Sequence, residues 1–234
     1  MTMRRDFFVT GTDTGVGKTL VSAALLRAWR RRGRSVAGMK PVASGSAVTA
    51  EGLRNDDALS LQAESSRPWA YDKVNPYAFE PPIAPHIAAA EAGVEIDLER
   101  IVALFRLFRE SSDSVLVEGA GGFLVPLGPR LSFADLPRAL GLEVILVVGL
   151  RLGCLNHAFL TAEAIAARSL PLAGWVGNLV DPGFGRLEQN LGSLRAGLPA
   201  PCLGVIPHLP SLDLDRVVGA LVGLEALDPA PSTA

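Results

Sequence analysis

The amino-acid sequence predicts an α/β fold in which a mostly parallel sheet is covered by helices on both faces. Two patterns lead there. Short, uninterrupted apolar runs alternate along the chain with segments of helical period, and runs lacking polar alternation fit strands buried on both sides. A glycine-rich loop follows the first such run and opens the first helical segment, the position at which parallel sheets carry their ligands. At 234 residues, 49% hydrophobic and 20% charged, the chain can bury a substantial core without staples.

Phe7–Thr10 reads as the first strand and Thr19–Arg32 as the helix after it. Ser35–Val42, Ser114–Val117, Val144–Val148, Leu172–Val176 and Leu203–Ile206 supply the remaining strands. Helical spacing fits Asp57–Ser65, Ile83–Ala92, Leu98–Glu110, Phe133–Leu140, His157–Ala167, Arg186–Arg195 and Leu214–Leu224. Between Arg67 and Pro85 prolines mix with Trp69, Tyr71, Tyr77 and Phe79, a composition too aromatic for a linker, so an ordered excursion over the sheet edge is expected. No repeat divides the chain; one domain over residues 1–227 is expected, with a frayed tail over 228–234.

A net charge of −2 gives no general attraction to nucleic acid or anionic membrane, and neither is expected as a partner. The one basic run, Arg30-Arg31-Arg32-Gly33-Arg34, falls where the first helix should end, and cations there complement the helix dipole. Two cysteines, Cys154 and Cys202, make no disulfide framework and suggest a reducing compartment. Only three apolar residues follow the charged N-terminus, too few for a signal peptide, and no apolar run is long enough to span a membrane, so a cytoplasmic location is expected. His86, His157 and His208 are scattered and suggest no zinc site; Cys154 reads as a small buried filler.

The loop is Gly11-Thr12-Asp13-Thr14-Gly15-Val16-Gly17-Lys18-Thr19. Its glycines let backbone N–H groups turn around phosphate oxygens, the helix N-terminus adds partial positive charge and Lys18 adds a full one. The Thr19 hydroxyl is placed to ligate magnesium. Gly11 and Gly17 are separated by five residues rather than the usual four, but Gly15, Val16, Gly17, Lys18 and Thr19 still form the wrapping part. The expectation is therefore a three-layer P-loop NTPase-like fold. A guanine-reading Asn-Lys-x-Asp box is absent, since Asn178-Leu179-Val180-Asp181 lacks the lysine; the amide of Asn178 suits adenine, and ATP is favoured.

Two further residues stand at expected strand ends. Glu118 directly follows the run Ser114–Val117, where a carboxylate faces the phosphate loop and can hold magnesium. Gly119-Ala120-Gly121-Gly122 after it lets backbone approach a ligand. Lys40 closes the second expected strand beside the first strand–helix turn.

Four segments in order, the loop together with Lys40-Pro41-Val42-Ala43-Ser44-Gly45, Val117-Glu118-Gly119-Ala120-Gly121-Gly122 and Leu152-Gly153-Cys154-Leu155-Asn156-His157, resemble the dethiobiotin synthetase family. The resemblance runs from about Phe7 to Leu209, and the five-residue loop spacing is similar to that family's own variant. It implies a carbon–nitrogen cyclo-ligase that uses ATP and Mg²⁺ to join 7,8-diaminononanoate (7,8-diaminopelargonate) and CO₂ into dethiobiotin, with release of ADP and phosphate, through a carbamate and a carbamic-phosphoric anhydride. It implies Lys40 and Lys18 as catalytic residues, and Asp57, in Asn55-Asp56-Asp57, as a metal ligand beside Thr19 and Glu118. Gly15, Val16, Gly17, Lys18, Thr19, Asp57, Glu118, Gly119, Ala120, Gly121, Asn178, Pro207, His208 and Leu209 are implied around the nucleotide and its metal. Thr14, Ser44, Gly121, Leu152, Gly153 and Asn156 are implied at the substrate, the last three reaching it from the partner subunit of a homodimer. The residues agree with that use: cations suit a reaction joining a carbamate to a phosphoryl group, and a helix start binds a carboxylate without a basic side chain. Asp56 reads as the cap of its helix, and Asn156 as an alternative cap of its own.

Some members of the family carry an acid where this chain has Gly15, so phosphate contact there falls to backbone. The competing readings are an ATPase of the partition or nitrogenase-iron type, which carries an added lysine early in the loop where Asp13 and Thr14 stand, a cobyrinate amidase-type relative, which needs a further glutaminase domain, and a non-enzymatic nucleotide-binding scaffold.

Overall fold

The computed structural model describes residues 5–211 and 213–228. Ten strands and nine α-helices follow one another as β1 (Phe7–Gly11), α1 (Lys18–Arg31), β2 (Val36–Met39), β3 (Val42–Ala43), β4 (Ala47–Thr49), β5 (Gly52–Arg54), α2 (Asp56–Glu64), α3 (Tyr71–Val74), β6 (Tyr77–Ala78), α4 (Pro85–Glu91), α5 (Leu98–Glu110), β7 (Ser114–Gly122), α6 (Asp135–Leu140), β8 (Glu143–Gly149), α7 (Cys154–Ala166), β9 (Leu172–Asn178), α8 (Leu187–Gly197), β10 (Cys202–Ile206) and α9 (Leu214–Ala220) among the described residues. Six strands form one sheet in the order β10-β9-β8-β1-β7-β2, every pairing parallel. A parallel sheet must be covered on both faces, and alternation along β1 shows how. Phe7 and Val9 enter a core with Leu25 and Trp29 of α1 and Val217 of α9, while Phe8 enters the opposite core with Phe105 and Phe108 of α5. Burying side chains of that size contributes roughly 1.5–3 kcal/mol each, so the central strand is fixed by burial on both sides.

The expected strand Ser35–Val42 is in fact two. It breaks at Lys40-Pro41, because proline has no N–H for a ladder, and Val42–Ala43 leaves the main sheet to pair in parallel with Tyr77–Ala78. That second pairing is how the proline- and aromatic-rich excursion is ordered; Trp69 also meets Phe108 edge-on at 4.5 Å. The hairpin β4–β5 is an element that sequence reasoning did not foresee. Conversely β7 runs on past the expected end at Val117 to Gly122, so Glu118 stands inside a strand rather than after it. Its register against β1 jumps from Val9↔Glu118 to Gly11↔Gly122, a bulge that leaves Gly121 close enough to the phosphate loop for an added Cβ to meet Thr14 Oγ1 at 3.5 Å.

Helix ends shift as well. α2 is capped by Asn55, whose side chain accepts the Ala58 N–H, so the expected cap Asp56 is the first helical residue instead. α7 starts at Cys154, earlier than expected; Asn156 lies within its first turn and caps nothing, the N-cap being Gly153. The basic run at the end of α1 is held by acids: Arg30 pairs with Glu64, Arg31 with Asp215, and both Arg32 and Arg34 with Asp228. The remainder of the expected frayed tail, 229–234, lies outside the described residues.

Candidate active site

The carboxyl ends of β1, β2 and β7 meet at a cavity of about 680 Å³, lined from the phosphate loop by Thr14, Gly15, Gly17, Lys18 and Thr19. Ligands gather at this end of an open parallel sheet because the connecting loops converge there. Lys40, Ser44, Asp57, Ala120 and Gly121 complete the floor and far wall, and residues 82–85 form the rim.

Gly17 is the N-cap of α1, at φ 91°, and supplies no side chain to occupy the first N–H groups of the helix. Those donors are left for an anion, with the positive end of the helix dipole behind them. A side chain at Gly17 is excluded twice: the backbone is left-handed, and an added Cβ would come within 2.3 Å of the Asn178 amide nitrogen. Asn178 Nδ2 donates to the Val16 carbonyl at 2.9 Å, so the end of β9 fixes the loop's shape.

Beneath the loop lies a buried charge cluster. Lys40 Nζ donates to Glu118 Oε1 at 2.6 Å, to Asp57 Oδ2 at 2.8 Å and to the Gly119 carbonyl at 3.1 Å, which uses all three ammonium hydrogens. Thr19 Oγ1 donates to the same Glu118 oxygen at 2.8 Å. Lys40 is only 2% exposed and Glu118 not at all, so neither charge can fall back on water. Burial opposes the charge on Lys40, yet Glu118 and Asp57 outweigh it and hold its pKa above the ordinary lysine value. Burial likewise works against the Asp57 carboxylate, but Lys40 and the Thr19 hydroxyl bring it below its ordinary value. The backbone of Lys40 is pinned too: its N–H donates to the Val74 carbonyl at 2.9 Å and its carbonyl accepts Asn75 Nδ2 at 2.7 Å.

Lys18 has the opposite balance. Burial first, and the neighbouring Lys40 second, push its pKa down to about 8, against the pull of Glu118, Asp57 and Asp13. Its Nζ donates to the Asp13 carbonyl at 3.0 Å. A bound phosphate favours the ammonium and raises this pKa, so binding is coupled to protonation. Nucleotide affinity is therefore expected to be level near pH 7.5 and to weaken, by up to about tenfold per pH unit, as pH rises through 8 toward the higher pKa of the complex. Calorimetric Kd values between pH 7.5 and 9.5 check this; a flat profile would remove Lys18 from the phosphate contact.

The residues expected around one site are not all on this cavity. Gly119 and Glu118 lie just below it. Asn178, Pro207, His208 and Leu209 cluster at the ends of the adjacent strands β9 and β10, where Asn178 pairs with Ile206. Leu152, Gly153 and Asn156 line no part of it; they are exposed, Leu152 to 94%, beyond the end of β8. Sequence reasoning passed over Asn75, which holds Lys40, and Asp13 and Arg151, which pair with each other. Each depends on a contact distant in sequence and leaves no local signal.

A family model described as an AAA domain matches residues 5–216. The ATP-dependent dethiobiotin synthetase BioD of Aromatoleum aromaticum is 55% identical over 221 residues, covering 94% of this chain and 98% of its own. The enzymes of the same name from Pseudomonas paraeruginosa and Xanthomonas oryzae are 58% and 54% identical, over 87% and 88% of this chain and 90% and 92% of theirs. Among solved structures, a ParA family ATPase from Chlorobium tepidum aligns over 99% of this chain and 95% of its own at TM-score 0.58 and 15% identity. The septum site-determining protein MinD from Pyrococcus horikoshii aligns over 96% and 89% at TM-score 0.55 and 17% identity. These two establish a P-loop NTPase fold alone, and the partition-type reading is not favoured beside relatives more than half identical. The fold, the loop and the sequence relatives agree: the chain belongs to the ATP-dependent dethiobiotin synthetase family.

Proposed function

We propose that this chain closes 7,8-diaminononanoate and CO₂ into dethiobiotin at the expense of ATP. The observation that carries the reading is the placement of Lys40 and Ser44 in the same cavity as the phosphate loop, an arrangement that a nucleotide switch does not need. One amine of the substrate adds to CO₂ and loses a proton to give a carbamate. A carbamate oxygen attacks the γ-phosphorus, the bond to ADP breaks, and a carbamic-phosphoric anhydride results. The second amine attacks its carbonyl carbon, phosphate leaves, the attacking nitrogen gives up a proton to the departing phosphate, and the ring closes. Charge accumulates where carbamate meets phosphoryl group, between Lys18 and Lys40, and stabilisation of that charge is the largest service a site of this kind offers. The test is direct: the purified protein with diaminononanoate, bicarbonate, ATP and magnesium yields dethiobiotin detected by mass, and its absence would refute the reading.

A magnesium ion fits the cluster by its donor chemistry. Among the described residues no group of three or more His, Cys, Asp or Glu converges, so a cation here takes two carboxylates, a hydroxyl, phosphate and water, an oxygen set suited to Mg²⁺. Glu118 Oε2 is buried with no hydrogen-bond partner, a lone acceptor with nothing yet to accept. Thr19, Asp57 and Glu118 would hold the ion, which neutralises charge on the transferring phosphoryl group. Glu118→Gln and Asp57→Asn are each expected to raise the magnesium concentration for half-maximal turnover about tenfold, since each removes a charged ligand at nearly constant shape. Unchanged magnesium titrations in both would take these residues out of the metal site.

The exposed turn at 152–156 supports a site completed across a two-fold homodimer. Gly153, at φ 94°, opens α7 with no capping side chain, leaving N–H groups for the substrate carboxylate, and Leu152 stands out from the surface. No helix among the described residues is long and apolar enough to cross a membrane.

A further inference from the structure

The phosphate loop is laced to the end of β8. Thr12 N–H donates to the Val147 carbonyl at 2.9 Å, and Gly149 N–H donates to Thr12 Oγ1 at 3.3 Å. Val16 lies so close to Gly149 that an added Cβ there would meet it at 2.6 Å. Past β8 one side-chain pair carries the lacing further. Asp13 Oδ1 accepts the Thr14 N–H at 2.7 Å, its carbonyl accepts Lys18 Nζ at 3.0 Å, and its other carboxylate oxygen pairs with the Arg151 guanidinium. The Arg151 carbonyl in turn accepts the Cys154 N–H at 3.0 Å, closing the turn on which Leu152 and Gly153 are displayed. One loop aspartate thus touches the phosphate-loop backbone, the loop lysine and the base of the exposed turn.

We propose that Arg151 is a positioning residue for substrate: paired with Asp13, it sets the angle at which residues 152–156 meet the diaminononanoate carboxylate and ties that angle to the nucleotide loop. The proposal rests on the reading of this turn as a substrate contact. In a two-fold dimer it makes the nucleotide loop of one subunit the support of the segment lent to the other. The pair is half-exposed, 42% for Arg151 and 46% for Asp13, and exposed ion pairs are worth up to about fivefold in an equilibrium constant. The effect belongs in substrate affinity, because neither side chain reaches the cavity where the bonds change.

The experiment compares Arg151→Gln, Arg151→Lys, Asp13→Asn and Asn156→Ala in the full chain. Arg151→Gln is expected to raise the diaminononanoate KM about fivefold with kcat within about twofold of wild type, and Asp13→Asn to raise that KM by a similar factor. The two changes together should do no more than one, as for residues acting through one contact. Arg151→Lys restores most of the KM, and Arg151→Gln leaves the ATP Kd unchanged. A wild-type KM in Arg151→Gln while Asn156→Ala raises it would overturn the strut and spare the substrate-contact reading. If both leave KM unchanged in an enzyme that makes dethiobiotin, that reading falls and the proposal with it. A loss of kcat that tracks a fall in thermal midpoint would mark the pair as structural and also overturn it.

Discussion

Lys40→Ala is expected to lower kcat about 10²–10³-fold while changing nucleotide Kd far less, and to lower the thermal midpoint by about 10 °C. On the proposed reading the rate loss is that typical for removing one preorganised positive charge from beside the point where negative charge would develop. The stability loss has a separate cause. Lys40 gives all three of its hydrogens to Glu118, Asp57 and Gly119, and Glu118 is fully buried. Removing the lysine leaves that carboxylate without a counter-charge, a change that costs about 3–5 kcal/mol and corresponds to roughly 2–4 °C per kcal/mol in a chain of this size. The double change Lys40→Met with Glu118→Gln separates the two effects. It removes both buried charges, so most of the midpoint should return while turnover does not. Equal losses in kcat and nucleotide affinity for Lys40→Ala would instead reassign Lys40 to ordinary phosphate binding.

What could be read from the sequence divides along a physical line. The phosphate loop was legible because its function depends on backbone conformation and helix geometry that a contiguous run of residues dictates, and Gly17 shows it: its φ of 91° and its contact with Asn178 both forbid a side chain. The core strands were legible because burial on both faces requires continuous apolar runs, as in β1 and β8. The end of β7 was not legible. Glycines after Glu118 read as a loop, yet the neighbouring strand β1 supplies a ladder partner at Gly122, and tertiary pairing overrides a weak local propensity. Lys40-Pro41 failed for the reverse reason, since a proline that breaks the ladder sat inside an otherwise strand-like run. Asp57, Glu118 and Lys40 were each found separately. That one ammonium bridges both carboxylates, and that Asn75 fixes it from the excursion, follows only from the way α2, β7 and the aromatic-rich segment close around the end of β2.

Lys18 is expected to behave as the mirror image of Lys40. In Lys18→Ala the loop keeps the free N–H groups of α1 and its dipole, equivalent to about half a unit charge, but loses the full charge that the proposed reading assigns to the phosphates. Lys40 cannot take over, because its ammonium is engaged by two carboxylates and a carbonyl. Nucleotide affinity should therefore fall together with turnover, the latter by about 10²–10³-fold. Stability should move the other way. The folded pKa of Lys18, about 8, lies below its ordinary value of 10.5, so at neutral pH the native state holds a proton that burial disfavours. Between those two values the unfolded chain binds more protons than the folded one, and stability rises with pH. Lys18→Met, which keeps the aliphatic stem and removes the charge, is expected to raise the thermal midpoint at pH 7 and to abolish the rise between pH 8 and 10.5 contributed by this residue. Thermal melts across that range, set beside calorimetric titration with ATP, give both readouts on the same samples. A Lys18→Met protein that binds ATP normally would overturn the loop assignment, and one that melts below wild type at pH 7 would show that Lys18, like Lys40, is held in place by its acidic neighbours.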